Sequence, residues 1–150
     1  MKYLASALVP LVLIAPSCST ITSAREKLTG MSEESFLSLQ RQVGLAGSVA
    51  GTKLKDAVSP EVAGKVYATL IELAHSIMRD QVAPGELVPF IVEQIAKDLD
   101  GKVKEYIRLG GLALDVAVGP IRLGIDGTLS VREKAVLLTF LGGIAQALEQ

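Results

Sequence analysis

Apolar residues recur at intervals of three and four along most of the chain, and no window alternates strictly between apolar and polar over several residues bounded by turns. That periodicity predicts helices and leaves no half-buried strand. Phe36, Leu39, Val43, Ala46, Ala50, Leu54 and Ala57 form one apolar seam, which predicts a first helix from Ser32 to Ala57. Ser32 is its N-cap, Glu33 and Glu34 complement the helix dipole in the first turn, and Lys53 and Lys55 lie near the end. Ser59-Pro60-Glu61 opens a second helix: the serine caps, and the proline sits where its missing N–H costs nothing. Its seam is Val62, Val66, Leu70, Leu73 and Ile77, and Ala83-Pro84-Gly85 ends it.

A third helix is predicted from Glu86 or Pro89 to Leu99, with Phe90, Ile91, Ile95 and Leu99 inward. After the Asp100-Gly101 turn, a fourth and unusually apolar segment runs from Lys102 to Ile125, kinked at Pro120 and closed by Asp126-Gly127. Ser130-Val131-Arg132-Glu133 is a capping box that opens the last helix, continued by Val136, Leu137, Phe140, Leu141, Ile144 and Leu148. The expectation is an all-α bundle of about five helices.

Lys104, Arg108, Asp115 and Arg122 recur at spacings of four and seven, a narrow polar stripe on the fourth segment. One reading makes this the central helix of the bundle with the stripe at the surface. The other makes the stripe an assembly face, with the helix packed against other chains or lipid. In the first helix, Gly44, Gly47 and Gly51 each cost about 1 kcal/mol of helix propensity relative to Ala. Small residues a turn apart let another helix approach closely, which is the role expected of them. Gly110-Gly111 and Gly142-Gly143 repeat the theme or serve as flexible points.

A chain of 150 residues suits one globular domain. The charges nearly cancel, with 15 Lys and Arg against 16 Asp and Glu, and the basic residues are scattered. Trp is absent, so neither a basic face nor a set of stacking platforms argues for nucleic acid. A single cysteine allows no intramolecular disulfide.

That cysteine follows a distinctive segment. Met1-Lys2-Tyr3 is a short positive start, and Leu4 to Ala15 is uncharged, interrupted by Pro10 and too short to span a bilayer comfortably. The run ends in Pro16-Ser17-Cys18, and Met1 to Cys18 resembles a bacterial lipoprotein signal. The family prefers a Leu-like residue three before the cysteine and a small one two before it, where this chain has Ala15 and Pro16. Ala15 and Ser17 also meet the small-x-small rule of ordinary signal cleavage at the same bond. The resemblance implies acylation at Cys18 and anchoring to a bacterial envelope membrane, and Ser19 resembles the outer-membrane sorting pattern. It divides the chain into a signal (1–17), a tether (18–31) rich in small polar residues, and a single helical domain (32–150). A retained membrane anchor is the alternative.

Signals for chemistry are thin. Asp126 to Glu133 matches the second half of an EF-hand loop, but Arg122 and Gly124 stand where the first acidic ligands belong, so no metal is expected there. His75, the only histidine, lies off the Leu70, Leu73 and Ile77 seam on a polar face. There is no Gly-x-Ser-x-Gly, phosphate loop or dinucleotide fingerprint, and no cofactor is expected. Carboxylate pairs such as Glu33 with Glu34, or Asp98 with Asp100, sit at helix ends where capping explains them. The expected function is a lipid-anchored module that binds, scaffolds or assembles without catalysis, its partner a second copy or another envelope protein. A membrane-active helical protein, pore-forming or holin-like, is the alternative, and a hydrolase with carboxylate chemistry the second.

Overall fold

The computed structural model describes residues 23–124 and 127–150. Among them the chain forms six helices: α1 (Ala24–Thr29), α2 (Glu33–Ala57), α3 (Pro60–Met78), α4 (Leu87–Ala96), α5 (Gly101–Val118) and α6 (Val131–Glu149). Two-residue strands β1 (Gly85–Glu86) and β2 (Arg122–Leu123) pair antiparallel, with Gly85 opposite Leu123 and Glu86 opposite Arg122. The all-α bundle expected from the periodicity is the fold observed.

Three serines start the long helices as their positions predict. Ser32, Ser59 and Ser130 accept the N–H groups of Ser35, Val62 and Glu133, and Glu133 returns the bond to the Ser130 N–H to complete the capping box. Helix α3 stops at Met78, short of the Ala83-Pro84-Gly85 boundary that its sequence suggests. Asp80 takes φ of 53°, and the N–H groups of Asp80 and Gln81 donate to the Ile77 and Ser76 carbonyls. That is a Schellman cap with aspartate in the position glycine usually fills. The Asp80 carboxylate accepts the Leu129 N–H at 3.1 Å and Lys134 Nζ at 2.7 Å, tying the end of α3 to the start of α6.

The last helix, α6, is the centre of the bundle, with its most extensive interface against α2 and a further one against α3. Val136, Leu137, Phe140, Leu141 and Ile144 are buried along it. Two glycines of α2 determine how near it lies. A Cβ on Gly51 would sit 2.7 Å from the Ile144 carbonyl oxygen, and one on Gly47 would collide with the Phe140 carbonyl. From the facing helix, a Cβ on Gly143 would reach 2.9 Å from the Ser48 nitrogen. The two helices therefore touch backbone to backbone at Gly47, Gly51 and Gly143. Gly44 is at the edge of this seam, where a Cβ would meet only the Thr139 methyl at 3.3 Å.

Two expectations need correction. Residues 24–29, assigned to a tether, form α1, capped by Ser23 and docked with Ala24 and Leu28 fully buried. The reason is long-range pairing: Arg25 Nε meets Glu133 Oε1 at 2.7 Å, and Arg132 donates to the carbonyls of Leu28 and Met31 while stacking over the Phe36 ring at 4.7 Å. The predicted helix from Lys102 to Ile125 ends at Val118, before Pro120 can kink it. Gly119, with φ of 89°, turns the chain, and Ile121 and Leu123 are then buried as extended backbone beside β1.

Candidate interaction surface

Helix α5 is not the central helix that its apolar circumference suggested. It lies at the side of the bundle, packed on α2 and α4, and only Ile107, Gly111, Leu114 and Val118 are buried along it. The rest of its apolar surface faces outward, with Leu109 60%, Leu112 59% and Val116 76% exposed. On one flank α5 and α2 meet at their small residues, where a Cβ on Gly110 would contact Ala50 at 3.3 Å. Around that contact the two helices leave an apolar groove of about 550 Å³. Its walls are Leu45 and Val49 from α2 and Tyr106 and Leu109 from α5, and Ala46 and Ala113 also line it. Lys53 and Gln42 supply the polar rim.

On the other flank, between α5 and α4, is a smaller cleft of about 230 Å³ with Val88, Val92 and Leu112 as apolar lining and Arg108, Glu93 and Asp115 as polar groups. Gly111 makes room for the close approach of the two helices, since a Cβ there would collide with Val92. Arg108 bridges from α5 to Glu93 of α4 at 3.1 Å and to Glu105 at 2.8 Å. Asp115 lies two turns further along, and its buried Oδ1 has no hydrogen-bond partner. Burial, and secondarily the nearby Glu86 carboxylate, push the Asp115 carboxyl up from its usual range.

The polar stripe predicted on one helix is thus divided. Arg108 and Asp115 share the α4–α5 cleft, whereas Arg122 lies beyond the helix end in β2 and pairs with Glu86 at 2.9 Å. Lys104 stays on α5 and makes no ion pair among the described residues. Arg108 and Arg122 both serve to fasten neighbouring elements of the same chain. The groove residues Leu45 and Val49 were missed, although they lie one helical turn apart and off the α2 seam, a second apolar stripe readable from spacing alone.

His75 is exposed on α3. Among the described residues no group of His, Cys, Asp and Glu is placed to hold a metal ion, and no helix is long and apolar enough to cross a membrane. The carboxylate of Glu133, at the final position of the half-matched calcium loop, is engaged by Arg25 and the Ser130 N–H. Asp126 of that loop, and Ala15, Ser17 and Cys18 of the signal-like segment, lie outside the described residues. No protein-family model, curated protein or solved structure matches this chain.

Proposed function

We propose that the chain is a lipid-anchored protein of the bacterial envelope that works as a binding or assembly module through the groove between α2 and α5. The observation that carries this reading is the groove itself: large apolar side chains remain exposed on both of its walls, Leu45 and Val49 on α2 and Tyr106 and Leu109 on α5, while α3 and α6 expose only the scattered Ile71, Met78 and Val131. Exposed apolar area of that kind, rimmed by polar residues, is typical of surfaces that are covered in the working state. The anchoring half of the reading comes from the apolar run ending at Ser17-Cys18. In this reading the module sits at the outer membrane facing the periplasm, held by acyl chains on Cys18, with an apolar segment of a second copy or of another envelope protein as its partner.

The ridge of Leu109, Leu112 and Val116 also suits a bilayer surface and favours the membrane-active reading as the second. Two measurements on the purified protein separate them. Intact mass after expression in a bacterial host is expected to show a chain beginning at Cys18 with acyl groups, and Cys18→Ser to release the protein from membranes. A product that begins at Met1 removes the anchor. The released chain is expected to stay dispersed without detergent and to leave dye-loaded vesicles intact. Dye release that Leu109→Glu suppresses would transfer the assignment to the membrane-active reading.

A further inference from the structure

We propose, resting on the anchored reading of Cys18, that the outward ridge of α5 formed by Leu109, Leu112 and Val116 lies on the lipid bilayer that holds the anchor. The ridge seats in the membrane surface without breaching it, and the module keeps one face to the bilayer instead of swinging on its tether.

The chain enters the described domain beside this ridge. The Ala24 N–H donates to the Pro120 carbonyl at 3.3 Å, and Lys27 Nζ donates to the Ala117 carbonyl at 2.7 Å. Helix α1 therefore begins against the C-terminal end of α5, and Ala117 directly follows Val116. Fully extended, the chain from Cys18 to Ser23 spans at most about 17 Å. Acyl chains on Cys18 thus hold this end of α5 close to the bilayer, and the ridge continues for only about 10 Å along the helix from Val116 to Leu109. So short a tether gives the ridge a high effective concentration at lipid, so that a shallow contact is enough to keep it seated.

The chemistry of the ridge fits that position. Leu109, Leu112 and Val116 are spaced by three and four, on the side of α5 opposite the buried Ile107, Gly111 and Leu114. From Leu109 to Val118 the one ionisable residue is Asp115, which lines the α4–α5 cleft with its Oδ1 buried. Lys102, seven residues before Leu109 and so on the same side, is exposed and makes no ion pair among the described residues. Glu105, a turn before Leu109, is neutralised by Arg108 at 2.8 Å. Leu45 and Val49 of α2 extend the exposed apolar area, and Tyr106 and Lys53 stand with them around the groove that Leu109 also lines. An aliphatic stripe bordered by lysine and tyrosine is what a helix lying in the membrane interface presents. Its apolar residues enter roughly 5–10 Å, and its lysine stems reach back to the phosphates. On α3, Ile71 and Met78 have the charged Glu72 and Arg79 beside them, and that face offers no such seat.

The test is alkylation of single cysteines in the full-length protein, acylated by a bacterial host and reconstituted in vesicles of phosphatidylethanolamine and phosphatidylglycerol. Acylation occupies the sulfur of the chain's one cysteine, so an introduced thiol is the only one free. Leu112→Cys and Val116→Cys are expected to react with a charged maleimide about tenfold more slowly on vesicles than in unanchored Cys18→Ser protein, as for a face seated about nine-tenths of the time. Glu72→Cys, exposed on α3, is expected to react at the same rate in both, and trapped dye is expected to stay in the vesicles. Adding Leu109→Glu to Val116→Cys is expected to restore fast alkylation with acylation and helix content unchanged. Equal protection of Leu112→Cys and Glu72→Cys in an acylated sample overturns the proposal and leaves the anchor standing, whereas an intact mass without acyl groups overturns both. Protection that rises with protein density, or persists in the Cys18→Ser chain, overturns it in favour of a second copy on the ridge. Protection accompanied by dye release overturns it in favour of the membrane-active reading.

Discussion

Helix α2 meets its two neighbours on opposite terms. Against α6 it presents Gly47 and Gly51, and the helices close until backbone meets backbone. Against α5 it touches at Ala50 and Gly110, and the larger side chains Leu45, Val49 and Leu109 are left standing outward on either side. Both contacts use small residues, so glycine content alone does not decide how tightly two helices seal. What decides is whether the large apolar residues flanking the contact point into the interface or away from it. In the α2–α6 seam they point in and the interface is finished. In the α2–α5 contact they point out, and apolar area that the fold does not use remains available.

The most damaging change to this contrast is Gly47→Val, which drives a branched side chain into the Phe140 carbonyl. Neither helix can yield without opening the core, so a loss of about 3 kcal/mol or more is expected in urea unfolding. A loss below about 1 kcal/mol would mean that the seam is looser than the geometry requires. Glu133→Ala comes next. It removes the partner of Arg25 and half of a capping box while leaving the α2–α6 seam alone. Glu133 is 2% exposed but Arg25 is 53% exposed, so water recovers part of the lost interaction, and about 1–2 kcal/mol is expected. Protease sensitivity should rise first around α1.

Gly142→Ala sharpens the same comparison with the opposite sign. It neighbours Gly143 in α6, but a Cβ there meets nothing within 4 Å, so the substitution is expected to stabilise by about 0.5–1 kcal/mol. Gly143→Ala should destabilise, because the added carbon meets the backbone of α2. The smallest effect is expected at Asp115. Its carboxyl is raised in the folded chain, so between the unfolded and folded values the native state holds more protons and stability falls as pH rises. At neutral pH the charged form is a small burden, and Asp115→Asn is expected to raise the melting temperature slightly. Asp80 has the reverse sign. Lys134, and then the Leu129 N–H, hold its carboxyl low, so its contribution is present above the unfolded value and is lost only as pH falls below the usual carboxylate range. A melting-temperature profile against pH for wild type, Asp115→Asn and Lys134→Ala separates the two.

Much of this architecture is local chemistry, and local chemistry is readable. The caps at Ser32, Ser59 and Ser130 need only a hydroxyl followed by a free N–H, and Gly47 and Gly51 are conspicuous because a helix tolerates them only for a reason. What escaped was decided at long range or by competing local signals. The helix α1 is too short to announce itself, and its docking depends on Glu133, 108 residues from Arg25. The stretch after Val118 stays apolar and so reads as helix, yet Gly119-Pro120 interrupts it, and buried Ile121 and Leu123 flank exposed Arg122 in the alternation of an extended chain. The outward flank of α5 was unreadable for a different reason. A largely apolar circumference says that burial is wanted, and nothing within the segment says which neighbours are present to supply it.

The α2–α6 seam also fixes an order of events during synthesis. Its two halves are the first and the last of the long helices among the described residues, so α2 leaves the ribosome with Gly47 and Gly51 facing nothing until Phe140, Gly143 and Ile144 have been added. At about 5–20 residues per second the nascent chain spends several seconds as a set of helices without a keystone. A transcript cut short before Ile144 would yield a product that has every other helix and no closed core among the described residues, and quality-control proteases should treat that product as unfolded.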